Sequence, residues 1–200
     1  MADETQSTDN CDNNSKEPTK TPILSKAEKL EQARILKDEG NAFYKQKDYK
    51  NAMKKYHQAL MYVKGLFDQV PFQGMFLPET RFPDEETAIF KEKAQQIELS
   101  CFNNLAACHL AGGRWSKVLD NSSKVLQRQP DNAKALYRRG QAFMKLQDID
   151  RAKEDLKRAS ELEPTDNSIK RTLILLEKEY KKITEKEKKT YAAMFEKMSV

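Results

Sequence analysis

The sequence predicts an all-α solenoid built from stacked pairs of helices, and three observations support this prediction. The 200 residues include only six Gly and seven Pro, which are too few for a turn-rich β sandwich or barrel. Apolar residues make up 38% of the chain and charged residues 34%, which suits the thin core that amphipathic helices share with their neighbours. A stretch around Gly40 also recurs around Gly140, and a third copy lies just before the second. Such internal repetition is typical of solenoids.

The repeated segments agree in residue class at many positions. The segment ILKDEGNAFYKQKDYKNAMKKYHQAL aligns with KALYRRGQAFMKLQDIDRAKEDLKRASELEP, and the matched pairs are Gly40 with Gly140, Phe43 with Phe143, Ala52 with Ala152, Tyr56 with Leu156 and Ala59 with Ala159. In the third copy, CFNNLAACHLAGGRWSKVLDNSSKVLQRQP, Ala106 lies 34 residues before Gly140, and Pro130 lies 34 residues before Pro164. Small residues at these positions allow two antiparallel helices to approach closely, and each proline ends a second helix.

This period of 34 residues, with its small, aromatic and proline positions, resembles the tetratricopeptide repeat (TPR). The resemblance implies three helix-turn-helix repeats at residues 33–66, 99–132 and 133–166, within a domain of residues 26–165. The expected fold is therefore an all-α TPR solenoid with a long C-terminal capping helix. In such a solenoid the first helix of each repeat lines a concave groove, and the capping helix covers the last open face.

An insertion separates the first two repeats, at about residues 63–96. Gly40 and Ala106 lie 66 residues apart, which is 32 more than one repeat period. The insertion begins as a proline-containing loop, and from Asp84 onward the sequence reads as one uninterrupted helix that continues into the second repeat. The large apolar side chains of the loop either pack against these extended helices, which we favour, or form an exposed patch for a partner: Phe67, Phe72, Met75, Phe76, Leu77 and Phe82.

Two further segments flank the repeats. Residues 1–25 are polar, and residues 1–22 hold five acids and two bases, so we expect a disordered acidic tail. Residues 166–198 contain no helix breaker, so we expect one capping helix that begins at Asp166 or Asn167. Its first half is expected to pack on the third repeat through Ile169, Leu173, Leu176 and Tyr180. Its distal half is basic, with Lys181, Lys182, Lys186, Lys188 and Lys189.

The chain holds little of the material from which catalytic or metal sites are made. It has three Cys and two His, and the spacing of Cys101 and Cys108 puts them on one helix face without forming a chelating pair. His109, next to Cys108, points about 100° away from it. The six glycines form no phosphate-binding motif. We therefore predict no enzyme activity, no cofactor and no metal site.

The distribution of charged and apolar residues limits the classes of partner that the chain can be expected to bind. The net charge of residues 1–22 is −3, which leaves +8 for the other 178 residues, a basic body that suits nucleic acid, an anionic membrane or an acidic peptide. The bases are not interleaved with a stacking aromatic platform, so we expect no nucleic-acid partner. No apolar run approaches the roughly 18 residues of a membrane span. An odd number of Cys and the lack of a recognisable secretory signal favour a cytoplasmic location.

The repeat register assigns five polar residues to the concave groove. Lys37 and Asn41 lie one helical turn apart in the first repeat, Asn104 lies in the second, and Lys134 and Arg138 lie one turn apart in the third. These five match, residue by residue, the two-carboxylate clamp of TPR co-chaperones. The resemblance therefore implies a peptide-binding site made of these residues.

The same resemblance implies the ligand. In TPR co-chaperones the clamp holds the terminal Asp of tails that end in Glu-Glu-Val-Asp, which belong to heat shock protein 90 and heat shock protein 70. Three bases balance the two carboxylates of a terminal Asp, and two Asn amides donate further hydrogen bonds. Asn103 would enter the clamp if the register shifted by one residue, but Asn104 keeps the 34-residue spacing to Arg138. We therefore assign Asn104.

Two families share further features with the chain. The stretches EKEKKTYAAMFEKM, FNNLAAC and RQPDNAKALYRRG resemble TPR-containing immunophilins, although residues 1–30 cannot hold an isomerase domain. A three-repeat protein with an insertion after the first repeat is most similar to the tetratricopeptide repeat protein 9 family. This resemblance implies chaperone binding and a link to actin or hormone-response biology.

Two alternatives stay open. The chain could be a structural scaffold that binds another protein, for example a cytoskeletal one, through the groove or the aromatic insertion. The immunophilin resemblance also implies calmodulin as a possible partner of Lys181–Met198, where Tyr191, Met194 and Phe195 accompany the bases at helical spacing. For this segment we favour a capping helix whose apolar side is partly docked on the repeats.

Overall fold

The computed structural model describes residues 24–66 and 85–198, which form seven α-helices and no β-strand. The helices are α1 (Lys26–Lys45), α2 (Tyr49–Lys64), α3 (Glu85–Ala111), α4 (Trp115–Arg128), α5 (Ala133–Lys145), α6 (Ile149–Leu162) and α7 (Asn167–Met198). They form antiparallel pairs in chain order, each pair packs on the next, and α7 packs against α6 and α5. The predicted all-α solenoid with a long C-terminal helix is therefore confirmed for the described residues.

The small residues of the repeat lie where the two helices of a pair meet. A Cβ atom at Gly40 of α1 would lie 2.6 Å from the Tyr56 ring of α2. A Cβ atom at Gly140 of α5 would lie 2.8 Å from Leu156 of α6. These distances are shorter than van der Waals contact, so only glycine permits this approach of the helices.

The turn inside each pair is built the same way three times. Lys47, Gly113 and Gln147 occupy matching positions, and their φ angles are 63°, 67° and 65°. The next helix begins directly after the turn, and Asp48 and Asp148 cap α2 and α6 by accepting hydrogen bonds from the backbone N–H three residues on. The repeat is therefore visible in the backbone as well as in the sequence.

Two helices extend beyond the pairs at their N-terminal ends. α1 begins at Lys26 behind a capping box of Ser25 and Glu28. α3 runs without interruption for 27 residues, as the sequence pattern predicts, and its first turns belong to the predicted insertion. The apolar residues of the insertion loop, from Phe67 to Phe82, lie outside the described residues, as does the acidic tail up to residue 23.

The first half of α7 covers the end of the solenoid. Ile169 and Leu176 are buried against α5 and α6, and Asp166 caps the helix by accepting a hydrogen bond of 2.7 Å from the backbone N–H of Ser168. Tyr180 differs from the prediction, because it is 41% exposed and contacts the solenoid through Lys153, whose Nζ lies 4.8 Å from its ring.

The distal half of α7 is docked only in part, which agrees with the expectation of a partly docked apolar side. Ile183 packs against the cluster that contains Ile149, Leu156 and Leu176, whereas Tyr191 and Met194 are 62% and 58% exposed. At ~1.5 Å per residue α7 measures about 48 Å and α6 only about 21 Å, so α7 extends beyond the end of α6.

Candidate functional site

The first helices of the three pairs, α1, α3 and α5, carry the five predicted clamp residues. Lys37 and Asn41 lie on α1, Asn104 on α3, and Lys134 and Arg138 on α5. The side chains of Asn41 and Asn104 are in direct contact, because the Asn104 Nδ2 donates a hydrogen bond of 2.8 Å to the Asn41 Oδ1. Arg138 is joined to α3 through the neighbouring Asn103. Lys37 and Lys134 each lie one turn before the second clamp residue of their own helix.

The amide of Asn41 is oriented by two donors. Its Oδ1 accepts hydrogen bonds from the Asn104 Nδ2 and, at 2.9 Å, from the hydroxyl of Tyr56. Tyr56 is 1% exposed and burial raises the pKa of its phenol, so this hydroxyl acts as a fixed donor. The Asn41 Nδ2 has only a contact of 3.5 Å with Asp38. The NH₂ group is therefore left to donate to an acceptor that enters the groove.

Arg138 is a half-buried cation whose hydrogen-bond partner is neutral. Its Nη1 donates a hydrogen bond of 2.7 Å to the Oδ1 of Asn103, and none of the carboxylates in the described part of the chain forms an ion pair with it. Burial lowers the pKa of the guanidinium from its ordinary value, and no carboxylate in the described ranges pairs with it to restore the charged form. A ligand carboxylate would supply the missing counter-charge.

The two lysines of the clamp are more accessible. The Lys37 Nζ lies 3.2 Å from Asp38, and the side chains of this pair are 24% and 50% exposed. A surface ion pair of this kind contributes about 0–1 kcal/mol, so Lys37 can exchange Asp38 for a ligand at little cost. Lys134 is exposed, and no ion pair within the described ranges includes it.

A cleft opens beside Lys37, where α1 and α3 extend beyond the helix pairs. It has a volume of about 650 Å³, and its walls include Leu30, Ile89, Phe90 and Ile97. Arg34 and Lys93 lie at its polar side, although Arg34 is already bound to Glu31 at 2.6 Å. The cleft is apolar with a cationic rim.

Three residues that support the site escaped the sequence analysis: Asn103, Tyr56 and Asn132. In the sequence, Asn103 would belong to the clamp only if the register shifted by one residue, and Tyr56 is only the counterpart of Leu156 in the repeat alignment. The hydroxyl that distinguishes Tyr56 from Leu156 was the available signal, because a buried phenol needs a hydrogen-bond partner. Asn132 bonds Asn103 at 3.2 Å, a contact between residues 29 positions apart.

The two cysteines within the described ranges lie inside the fold. Cys101 and Cys108 are fully buried, and burial raises the pKa of their thiols to about 12 and about 11. In residues 24–66 and 85–198 no three His, Cys, Asp or Glu side chains are grouped so that they could hold a metal ion. No helix in the same ranges is long and apolar enough to cross a membrane.

The chain is similar to known proteins that contain tetratricopeptide repeats. The family model of the tetratricopeptide repeat matches residues 133–166. Peptidyl-prolyl cis-trans isomerase FKBP4 of cattle (Bos taurus) is 34% identical over 176 residues, which are 88% of this chain and 35% of the relative. The chain therefore spans about a third of the length of that relative.

Two solved structures are also similar. The C-terminal TPR-containing domain of an FK506-binding protein from Plasmodium falciparum is 31% identical with a TM-score of 0.66, and the match covers 82% of this chain and 97% of that domain. The myosin chaperone UNC-45 of C. elegans, solved in complex with an Hsp90 peptide, is 25% identical with a TM-score of 0.58. That match covers 75% of this chain and 14% of the chaperone.

Proposed function

The chain belongs to the tetratricopeptide repeat family, and from this premise we propose that it is a non-catalytic adaptor that binds the acidic C-terminal tails of heat shock protein 90, heat shock protein 70 or both. The ligand is a peptide that ends in Asp. Its binding site is the clamp of Lys37, Asn41, Asn104, Lys134 and Arg138. The cytoplasm, where these chaperones are abundant, is the proposed location.

One observation carries this proposal: the half-buried Arg138 has an amide as its partner and no carboxylate among the residues that the structure describes. Desolvating a cation without a counter-ion costs free energy, and structural arginines are normally paired. An arginine kept in this state gains the most when a carboxylate arrives. The Asn41 NH₂ group supports the same conclusion, because Tyr56 and Asn104 leave it free to donate.

The chemistry of a terminal Asp fits this arrangement. Such a residue presents an α-carboxylate and a side-chain carboxylate, and the clamp offers three cationic side chains and two amides. Charge-assisted hydrogen bonds of this type contribute about 1.5–3 kcal/mol each. Micromolar binding corresponds to about 8 kcal/mol after the costs of association, so these bonds must act together with further contacts between the peptide and the groove.

The relatives support the choice of partner. UNC-45 was solved with an Hsp90 peptide, and its similarity in fold to this chain supports a peptide of the same kind as the ligand. FKBP4 is an isomerase by name, and this chain matches about a third of its length. We assign to this chain the peptide-binding role and not the isomerase activity. Because of the position of its insertion, we also propose that the chain is a member of the tetratricopeptide repeat protein 9 family.

Titration of a fluorescently labelled Met-Glu-Glu-Val-Asp peptide tests the proposal. We expect a micromolar dissociation constant that rises with salt, because charge dominates the contact. Amidation of the peptide's C-terminus and the substitution Lys134→Glu should each weaken binding at least tenfold. The matched control is Lys157→Glu, which makes the same charge change at an exposed position on α6. A peptide that binds equally well after amidation and to Lys134→Glu would contradict the clamp.

A second partner is favoured by one observation, the exposure of Tyr191 and Met194 beside Lys188 and Lys189 on the distal half of α7. A basic helix with an exposed apolar stripe is the kind of segment that calmodulin binds. Calcium-dependent retention of the full chain on immobilised calmodulin, lost in Tyr191→Glu/Met194→Glu, would support this partner. Equal retention of both proteins would exclude the stripe as the contact.

A further inference from the structure

Asn103 links Arg138 to the start of its own helix. The Oδ1 of Asn103 accepts the hydrogen bond of 2.7 Å from the Arg138 Nη1. The Nδ2 of Asn103 donates a hydrogen bond of 3.2 Å to the Oδ1 of Asn132, which is the N-cap of α5 and also accepts from the backbone N–H of Ala135. Because its NH₂ group is committed to Asn132, the amide oxygen of Asn103 faces Arg138. The guanidinium is thus held against α3 by a neutral group of fixed orientation.

The neutrality of this partner matters for the ligand. An amide oxygen holds a guanidinium in place without cancelling its charge, whereas a carboxylate at the same position would form an ion pair and satisfy it. The neighbouring Arg139 shows the contrast, because Asp155 binds it through two hydrogen bonds of 2.7 and 2.8 Å. Arg139 is neutralised inside the fold, and Arg138 is not.

The clamp residues form two groups, one on α1 and α3 and the other on α5. Lys37, Asn41 and Asn104 lie on α1 and α3, with the two amides in contact. Lys134 and Arg138 lie on α5, and Asn103 joins the second of them to α3. Two carboxylates of one terminal residue can be shared between the two parts. We take the α5 part as the one that receives the side-chain carboxylate, because Arg138 has no carboxylate partner among the described residues and gains most from one.

We propose that Asn103 is a positioning residue of the peptide site, which holds Arg138 as an uncompensated cation so that the site selects a terminal residue with an acidic side chain. This inference rests on the proposed peptide-binding function. It assigns to Asn103 a role in the selection of Asp over Asn at the end of the ligand. The five clamp residues alone do not supply this role, because a free Arg138 side chain would lose its fixed position.

Two substitutions separate the position of Arg138 from its charge. Asn103→Leu removes the acceptor without adding charge, and Asn103→Asp keeps an acceptor of the same shape but neutralises the guanidinium. The ligands are two labelled pentapeptides, Met-Glu-Glu-Val-Asp and Met-Glu-Glu-Val-Asn. Gln127→Glu is the control for added negative charge, because Gln127 is exposed on α4. Thermal unfolding of every variant checks that the fold is retained.

The expected pattern differs between the variants. Asn103→Leu should bind the Asp-ended peptide three- to tenfold more weakly and the Asn-ended peptide within twofold of the wild type, so that the discrimination falls. Asn103→Asp should bind the Asp-ended peptide more than tenfold more weakly, with a shallower dependence on salt. Gln127→Glu should bind both peptides within twofold of the wild type. An equal loss for both peptides in Asn103→Leu, or wild-type binding by Asn103→Asp, would overturn the proposal.

If a variant does not fold, the same question can be answered by NMR on the wild-type protein. The guanidinium Nε–H resonance of Arg138 should shift with the Asp-ended peptide and stay in place with the Asn-ended one. Equal shifts with both peptides would refute the role of Asn103 in selection. A wild type that binds neither peptide would instead refute the proposed function itself, so the two failures are distinguishable.

Discussion

Gly40 tests whether the close packing of α1 on α2 supports the peptide site. In Gly40→Ala the new Cβ would lie 2.6 Å from the Tyr56 Cε1, 2.8 Å from Cδ1 and 3.0 Å from Cζ. Tyr56 is 1% exposed and packs among Ala52, Ala59 and Leu105, so its ring has no free space to enter. Either the helices separate or the ring moves, and both changes disturb the hydrogen bond from the Tyr56 hydroxyl to Asn41.

The size of the effect of Gly40→Ala follows from two opposing contributions to the free energy of unfolding. Overpacking a core contact costs about 1–3 kcal/mol, and Ala in place of a helical Gly recovers up to about 1 kcal/mol. We therefore expect a net loss of about 1–2 kcal/mol, which lowers Tm by roughly 2–8 °C for a domain of this length. Because Asn41 loses one of the two donors that orient it, the affinity for the Asp-ended peptide should fall as well.

Gly65→Ala is the matched control for Gly40→Ala. Gly65 ends α2, and a Cβ there would lie 3.4 Å from the Met61 carbonyl oxygen and 3.7 Å from that of Tyr62, which are tolerable distances. Thermal unfolding and peptide titration of both variants decide the question. If Gly40→Ala matches Gly65→Ala in Tm and in peptide affinity, the small-residue contact constrains neither the fold nor the site, and the reasoning is refuted.

Two further predictions concern stability. Asp155→Ala removes the buried partner of Arg139, and breaking such a pair costs about 3 kcal/mol, so urea unfolding should show a large loss of stability. Asp131→Ala removes the exposed partner of Arg158 and should lower the stability far less than Asp155→Ala does. Burial lowers the pKa of His109, whose Nδ1 is buried without a hydrogen-bond partner. Burial therefore favours the neutral form of His109 in the folded protein. The contribution of this neutral form to the free energy of unfolding is fully present above the unfolded pKa of about 6.5. It is lost as the pH falls from there toward the lower folded pKa. Urea unfolding between pH 7.5 and pH 5 should therefore show a smaller loss of stability in His109→Gln than in the wild type, and equal slopes would contradict this.

The fold could be predicted from the sequence because the 34-residue repeat sets the spacing of the small residues at which paired helices meet. Gly40 and Gly140 were placed by alignment alone, and the structure puts each against the large residue of the paired helix, Tyr56 and Leu156. The sequence did not predict where along α7 the docking on the repeats ends. The apolar residues of α7 continue at the same helical spacing as Leu176, and periodicity along one helix does not show where the neighbouring helix ends.

The arrangement of the site was harder to predict than its residue types. The register put Asn104 in the groove, and the structure bonds it to Asn41 across 63 positions of sequence. The same register excluded Asn103, which the structure places against Arg138. Adjacent residues on a helix point about 100° apart, so both Asn side chains can reach the groove side from different directions. The hydrogen-bond partner of each Asn depends on the side-chain rotamers of a neighbouring helix. These rotamers cannot be inferred from the repeat pattern of a single sequence.

Arg138 and Arg139 show what finally distinguishes a binding residue from a structural one. They are adjacent and identical in type, and composition or charge gives no reason to choose between them. In the structure Asp155 binds Arg139 and raises the pKa of its guanidinium, whereas burial lowers that of Arg138. A ligand carboxylate gains little at a cation that already has a buried partner, and it gains most at one that has lost its water without gaining a counter-charge. If the proposed function holds, Arg138, which has no carboxylate partner in the described part of the chain, is the arginine at which a peptide carboxylate gains most.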